Sequence, residues 1–259
     1  MTDRPKALWV YAHPTEHSLN ADLFKLGTEA LSGTHTVRTS DLYAQGWDPR
    51  LSLRDVGDFA DPATTFGEQT REAALAGGLP ADVRAEQAKL AEADLLVLQF
   101  PLWWYGMPAM LKGWFDRVFT NGFAYGVRDP ETGDTLKYGD GGLAGRRALV
   151  ITTAGDRPSS FTPRGLNGDL ESLLFPLLHG TLWYTGIAPL RPHLLGGTDY
   201  PSWRGYTEEI GRLRARLATV AEESPIPYRR LRDGDYDADN VLRRDILPGR
   251  HDLGVHQHR

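Results

Sequence analysis

"DLLVLQFPLWWYGMPAMLKGWFDRVF", residues 94–119, reads as a strand, a loop and a helix in succession. The opening "DLLVLQFPLW" is an apolar run without alternation, the pattern of a strand buried on both faces. "MPAMLKGWFDRVF" is a helix, with Pro108 tolerated in the first turn, where a missing N–H is no loss. The same succession continues on either side. Upstream, "KALWVYAH" is an apolar strand, "SLNADLFKLGTEAL" a helix that Ser18 caps and Gly33 stops, and "HTVRTSDL" a further strand. "VRAEQAKLAEA" supplies a helix just before Asp94. Downstream, "RRALVITTAG" is a strand, "GDLESLLFPLLHGTL" a helix interrupted at Pro176, and "YTEEIGRLRARLATVAEE" an amphipathic helix. Residues 44–81, rich in Gly, Pro, Asp and Thr, read as a long decorated connection of weak periodicity. Strands alternating with helices imply an α/β fold, a parallel sheet covered on both faces. We assign residues 1–223 to this domain and 224–259 to an irregular C-terminal extension packed on it.

Composition narrows the chemistry. The 259 residues carry a formal charge of −5, which argues against general binding to nucleic acid or to an anionic membrane. With no cysteine, disulfides, thiolate nucleophiles and cysteine metal sites are excluded, so redox chemistry would need a bound cofactor. His251, His256 and His258 are too irregularly spaced for a metal site, and none is expected. The opening residues lack an apolar signal core, and no run is long enough to span a bilayer, so a cytoplasmic protein without membrane insertion is expected. "RRLRDGDYDADNVLRRD" is read as a solvated segment of mixed charge.

In open α/β sheets, ligands bind beyond the carboxyl ends of the strands. That rule selects three loops. "AHPTEHSLN" runs into a helix start, where free N–H groups and the macrodipole attract phosphate. His13, Ser18 and Asn20 add donors, Glu16 counts against an anion unless it points away, and without a Gly-rich phosphate signature the plainer reading makes Ser18 a helix cap and His13 a strand cap. In "PLWWYG", one tryptophan is expected to face inward, yet three consecutive rings cannot all do so where a strand ends. At least one should line a cleft suited to a planar heterocycle, a flavin or a nucleic-acid base, and the net charge favours the flavin. "TTAGD" places an Ala-Gly turn where backbone can approach a ligand.

With these loops in view, the chain resembles the NAD(P)H:quinone oxidoreductase (DT-diaphorase) family of flavodoxin-like flavoproteins. "AHPTEHSLN" is similar to that family's Ala-His-x-x-x-x-Ser-[Phe/Leu]-Asn motif. "SDLYA" and residues 85–119 resemble its central stretch, "ITTAGD" its Thr-Thr-Gly-Gly turn, and "DLGVHQH" its C-terminal segment. The resemblance implies a flavodoxin-like fold and a two-electron reductase. It implies bound FAD rather than FMN, NAD(P)H as co-substrate, a quinone acceptor, and an active site shared across a homodimer. Carried over by position, His13, Ser18, Leu19 and Asn20 would hold the phosphate and ribose side of the cofactor. Pro101, Leu102, Trp103, Trp104, Tyr105, Thr152, Thr153, Ala154 and Gly155 would hold the isoalloxazine, and Arg204 would lie near the adenine. Tyr125 and Tyr184 match pocket aromatics, with Trp104 also facing substrate.

The departures carry their own expectations. Phe161 and Asn167 stand where animal members have a tyrosine and a histidine thought to relay charge, and neither exchanges a proton near neutral pH. Phe161 is kept as a cofactor contact. Asn167 is expected to orient the acceptor or, in the bland reading, to cap the helix starting near Gly168. With the histidine gone, backbone N–H groups near Gly155 would stabilise negative charge on the flavin. Ala154 replaces a turn glycine, Val127 a second pocket tyrosine, and "GVRDPETGDTLKYGDGG" a shorter family loop. Dimerisation is expected through "MLKGWFDRVF" and its flanks, because Trp114, Phe115, Val118 and Phe119 spread around the helix. Two alternatives stay open: an ancillary subunit of a potassium-efflux system, and a reductase of azo or nitro compounds.

Overall fold

In the computed structural model, which describes residues 4–200, 203 and 205–258, the named strands pair in parallel. The chain gives β1 (Lys6–Tyr11), α1 (Leu19–Leu31), β2 (Thr36–Asp41), α2 (Phe66–Leu75), α3 (Ala81–Glu92), β3 (Leu95–Pro101) and α4 (Ala109–Val118). There follow β4 (Arg147–Thr153), α5 (Leu170–Leu173), α6 (Phe175–Leu177), β5 (Ala188–Pro189), β6 (His193–Leu195) and α7 (Tyr206–Thr219). The sheet order is β2-β1-β3-β4-β5, with β6 also pairing on β4. This is the flavodoxin-like doubly wound order, whose switch point lies between β1 and β3.

Alternating strand residues feed two cores. Leu8, Val10, Leu96, Leu98 and Val150 pack with Val83 and Leu90 of α3 and with Leu111 and Trp114 of α4. Ala7, Trp9, Leu95, Val97 and Leu149 pack on the other face with Leu23 and Leu31 of α1 and Leu213 and Leu217 of α7. Burying each such side chain contributes about 1.5–3 kcal/mol. No helix of the described residues is long and apolar enough to cross a membrane.

The cover of α4 is more ordered than its composition suggests. Trp114, Phe115, Val118 and Phe119 are all buried within this one chain, and Phe115 and Phe119 also border a cavity shared with Lys112 and Asp116 of the same helix. The covering comes from α3 and from residues 44–81. Trp114 Nε1 donates to the buried Glu86 carboxylate at 2.9 Å, and Arg117 reaches Asp55 at 2.6 Å and Asp82 at 2.7 Å. Gly113 is required for this fit, since a Cβ there would stand 2.0 Å from the Pro49 carbonyl. Nor is the connection wholly irregular. It holds α2, whose N-terminus is a capping box between Thr65 and Glu68, besides two short 3₁₀ turns.

The helix expected around Pro176 is broken more fully than a single interruption. After α5 and α6, residues Leu178–Trp183 widen into a π-type turn. Beyond α7 the chain is irregular with 3₁₀ turns at Leu231–Asp233 and Leu253–His256. It lies against the sheet-bearing part: Ile226 N–H donates to the Pro189 carbonyl at 2.8 Å, and Trp183 Nε1 to the Arg229 carbonyl at 3.0 Å.

Candidate active site

The carboxyl ends of β1, β3 and β4 are tied together by buried amides. Trp9 Nε1 donates to Gln99 Oε1 at 3.0 Å, and Gln99 Nε2 donates to the Asn20 carbonyl at 2.7 Å. Asn20 Nδ2 in turn donates to Thr153 Oγ1 at 2.9 Å. Asn20 Oδ1 is buried and has no hydrogen-bond partner among the described residues. Leu19 packs at the edge of the adjoining core. Ser18 does cap α1, accepting from Ala21 N–H. His13 Nδ1 lies 3.3 Å from both the Thr15 N–H and the Thr15 carbonyl and 3.2 Å from the Ser18 hydroxyl, which fixes the ring against the start of α1. A cavity of about 370 Å³ opens here between His13, Thr15, Asp41 and Tyr43. Glu16 lines it too, which places a carboxylate beside the proposed phosphate position.

The aromatic turn differs from expectation. Trp103, Trp104 and Tyr105 are 44%, 97% and 58% exposed, so neither tryptophan faces inward. The reason is backbone conformation: Trp104 and Tyr105 have φ of 50° and 60°, both left-handed. Such residues typically store about 1–3 kcal/mol each and persist only where neighbours over-determine them. Here Leu102 N–H donates to the Thr153 carbonyl at 2.8 Å, and Gly106 N–H closes back on the Trp103 carbonyl at 3.0 Å. Pro101 ends β3 and fixes the start of the turn. The Trp103 ring leans on His13, with centroids 5.9 Å apart.

The third loop is braced rather than open. Thr152 Oγ1 donates to the Phe100 carbonyl at 2.9 Å, and Ala154 N–H to the Leu195 carbonyl. A Cβ on Gly155 would lie 2.0 Å from the Asp199 carboxylate, so this glycine has a packing requirement of its own. Phe161 is buried at the end of a short 3₁₀ turn, Pro158–Phe161. Asn167 is not a cap; Asp169 caps α5 instead, accepting from Ser172 N–H. The Asn167 amide is held at both ends, Oδ1 by the Tyr105 hydroxyl and Nδ2 by Asp156 Oδ2, each at 3.0 Å. Asp156 also accepts from Arg157 N–H and the Tyr200 hydroxyl, and these bonds hold its carboxyl below the usual range. Asp156 was not foreseen as a site residue, although it directly follows the Ala-Gly turn.

Tyr125 and Tyr184 come together elsewhere, in a cavity of about 380 Å³ that also takes in Met107, Lys112, Asp116 and Thr181. Burial, then the neighbouring Tyr184, pushes the Tyr125 phenol up. Val127 is half-buried on the adjoining loop and is not among the residues lining this cavity. Lys112 and Asp116, paired across one turn of α4, were missed although their spacing is the ordinary ion-pair spacing of a helix. Arg204 lies outside the described residues. Among those residues no group of three or more His, Asp or Glu is arranged to hold a metal.

Comparison with known proteins gives the family. A family model described as flavodoxin-like fold matches residues 5–217. Human ribosyldihydronicotinamide dehydrogenase [quinone] is 37% identical, over 86% of this chain and 94% of its own length. NAD(P)H dehydrogenase [quinone] 1 of Cavia porcellus is 35% identical, over 93% of this chain and 87% of its own. The solved structure of a candidate quinone reductase from Klebsiella pneumoniae superposes with a TM-score of 0.91 at 39% identity, covering 98% of this chain and all of that one.

Proposed function

This chain belongs to the flavodoxin-like NAD(P)H:quinone oxidoreductase family, and from that premise we propose that it reduces quinones by two electrons through bound FAD. The observation that carries the reading is the left-handed aromatic turn at Trp103–Tyr105, which holds ring faces outward beside the α1 N-terminus. The residues present fit a flavin. Asn20 leaves a buried acceptor without a partner among the described residues, and the His13 ring and the helix start offer polar groups on the phosphate side. Glu16 would have to turn out of the cavity. Held between the aromatic turn and the start of α1, FAD would supply two-electron hydride chemistry linking a dihydronicotinamide donor to a quinone acceptor in two separate half-reactions.

The chain's own residues orient and exclude. Trp103 and Trp104 present flat surfaces, Asn167 and Asp156 fix the Tyr105 hydroxyl, and the backbone near Gly155 stabilises charge at the heterocycle edge. With Phe161 and Asn167 unable to exchange a proton, solvent or the flavin itself would supply protons. Tyr125 and Tyr184 line a separate cavity, and we place them opposite the aromatic turn of a second copy in a homodimer. Leu166 and Trp104, 94% and 97% exposed, supply apolar rim for that contact. A cytoplasmic setting completes the proposal. The human relative's name also makes dihydronicotinamide riboside a donor to test.

The test is to purify the protein, release its cofactor by heat and identify it by mass. Steady-state rates with NADH, NADPH or dihydronicotinamide riboside against a quinone should give parallel double-reciprocal lines. FMN in place of FAD, intersecting lines, or a fully active monomer by light scattering would each overturn the corresponding part.

A further inference from the structure

We propose, resting on the quinone-reductase reading above, that Tyr138 is the positioning residue for Tyr184 and so sets which acceptors fit the Tyr125–Tyr184 cavity. Tyr138 lies on the segment 126–142 and has φ of 48°, a left-handed conformation that a tyrosine adopts only under constraint. The constraint is contact with the chain that carries Tyr184. Tyr138 N–H donates to the Tyr184 carbonyl at 3.1 Å, and Gly139 N–H to the Trp183 carbonyl at 2.8 Å. The Tyr138 ring meets Tyr184 edge-on, centroids 5.3 Å apart and planes at 82°, and lies 5.0 Å from the His179 ring. Tyr184 is thus gripped from behind while its front shares the cavity with Tyr125.

The grip itself is anchored. Arg230 pairs with Asp140 at 3.0 Å and Arg232 with Asp129 at 2.8 Å, tying both ends of the segment to the C-terminal stretch. Gly139 lets the chain pass Trp183, since a Cβ there would come within 2.7 Å of that ring. Tyr184 needs such support because it follows the π-type turn Leu178–Trp183, where the ordinary helical bonding is interrupted. A fixed ring makes a slot of fixed width. A one-ring quinone gains a complete wall, and a three-ring quinone meets a wall that does not yield.

The experiment compares Tyr138→Gly and Tyr138→Phe with the parent holoenzyme, using 2,6-dimethylbenzoquinone and a water-soluble phenanthrenequinone. Glycine suits the positive φ, so Tyr138→Gly should fold with an unfolding midpoint near the parent's. If it does not, Tyr138→Asn, which also tolerates this conformation, takes its place. In the ring-less variant KM for the one-ring acceptor should rise about tenfold with kcat little changed, while kcat/KM for the three-ring acceptor holds or rises. Rapid-mixing rates of the nicotinamide half-reaction should stay within about twofold, and Tyr138→Phe should match the parent. Equal change for both acceptors, or no change for either, overturns the inference while leaving quinone reduction standing. A parent that reduces no quinone overturns the reading and the inference together.

Discussion

The hydroxyl of Tyr105 donates to Asn167 Oδ1 at 3.0 Å, joining the aromatic turn after β3 to the loop after β4. Because the Asn167 amide also donates to Asp156, it works as a strut and not as a helix cap. Replacing Asn167 with Ala should loosen Tyr105 and lower turnover with quinone. Rapid-mixing rates of flavin reduction should remain within about tenfold, or about 1.4 kcal/mol of barrier. Asn167→Asp should be the more harmful change near neutral pH, since it sets a second carboxylate beside Asp156 in place of a donor. Its activity should recover as pH falls and the pair shares a proton, whereas the parent's Asn167 contribution should not titrate. A flat pH response of the Asp variant would remove the strut from the account.

Trp104 sets stability against function. It is 97% exposed and left-handed, so Trp104→Gly loses little packing and relieves a strained backbone. Unfolding of the cofactor-free variant should need as much denaturant as the parent or more, by roughly 1 kcal/mol. Flavin affinity, measured by fluorescence titration, should fall at least about tenfold if an aromatic face is what the turn provides. Lower stability together with unchanged affinity would refute both halves.

Arg117 is buried between Asp55 and Asp82 and lies 4.5 Å from the Trp47 ring centroid. Arg117→Met strands the buried Asp55 carboxylate and should cost about 3–5 kcal/mol in denaturant unfolding. Adding Asp55→Leu should recover much of that loss. A double variant no better than the single would mean that packing against Trp47, and not charge, dominates.

Burial lowers His179 and His193 from 6.5 to about 4, with His256 adding to the first and Arg216 and Arg212 to the second. The unfolded chain therefore takes up protons in a pH range where the folded chain refuses them. Their stabilising contribution is complete above about pH 6.5 and is lost as pH falls toward 4. The thermal midpoint should decline over that window. His179→Phe, which fits between the Phe175 and Tyr138 rings and removes a buried nitrogen without a partner among the described residues, should decline less steeply. At neutral pH the variant should stay within about 1.5 kcal/mol of the parent.

The long apolar runs made β1, β3 and β4 legible, because burial on both faces leaves no polar alternation. The edge strands β5 and β6 were not legible: they are two and three residues long, with "LRP" between them. The α2 helix could have been found from Thr65 and Glu68, a capping box concealed by loop-like composition. Placing a tryptophan inward failed because side-chain types do not announce two left-handed residues in a row when neither is glycine. The spread of α4 rings was read correctly, but their burial depends on residues 44–81 folding over the helix, a contact across long sequence separation. The three site loops did converge. What joins them, the Asp156–Asn167 strut and Asp199 against Gly155, depends on loop geometry that no spacing encodes.

The ion pairs from Arg230 and Arg232 to the segment 126–142 have a consequence for how the protein is made. Every strand of the sheet precedes residue 224 in chain order, so a nascent chain can complete its parallel sheet before these arginines leave the ribosome. Until they emerge, the wall behind Tyr184 has no anchor. Chains arrested after α7 should therefore hold a formed sheet and a slack cavity between Tyr125 and Tyr184, whose wall is the last part of the fold to set.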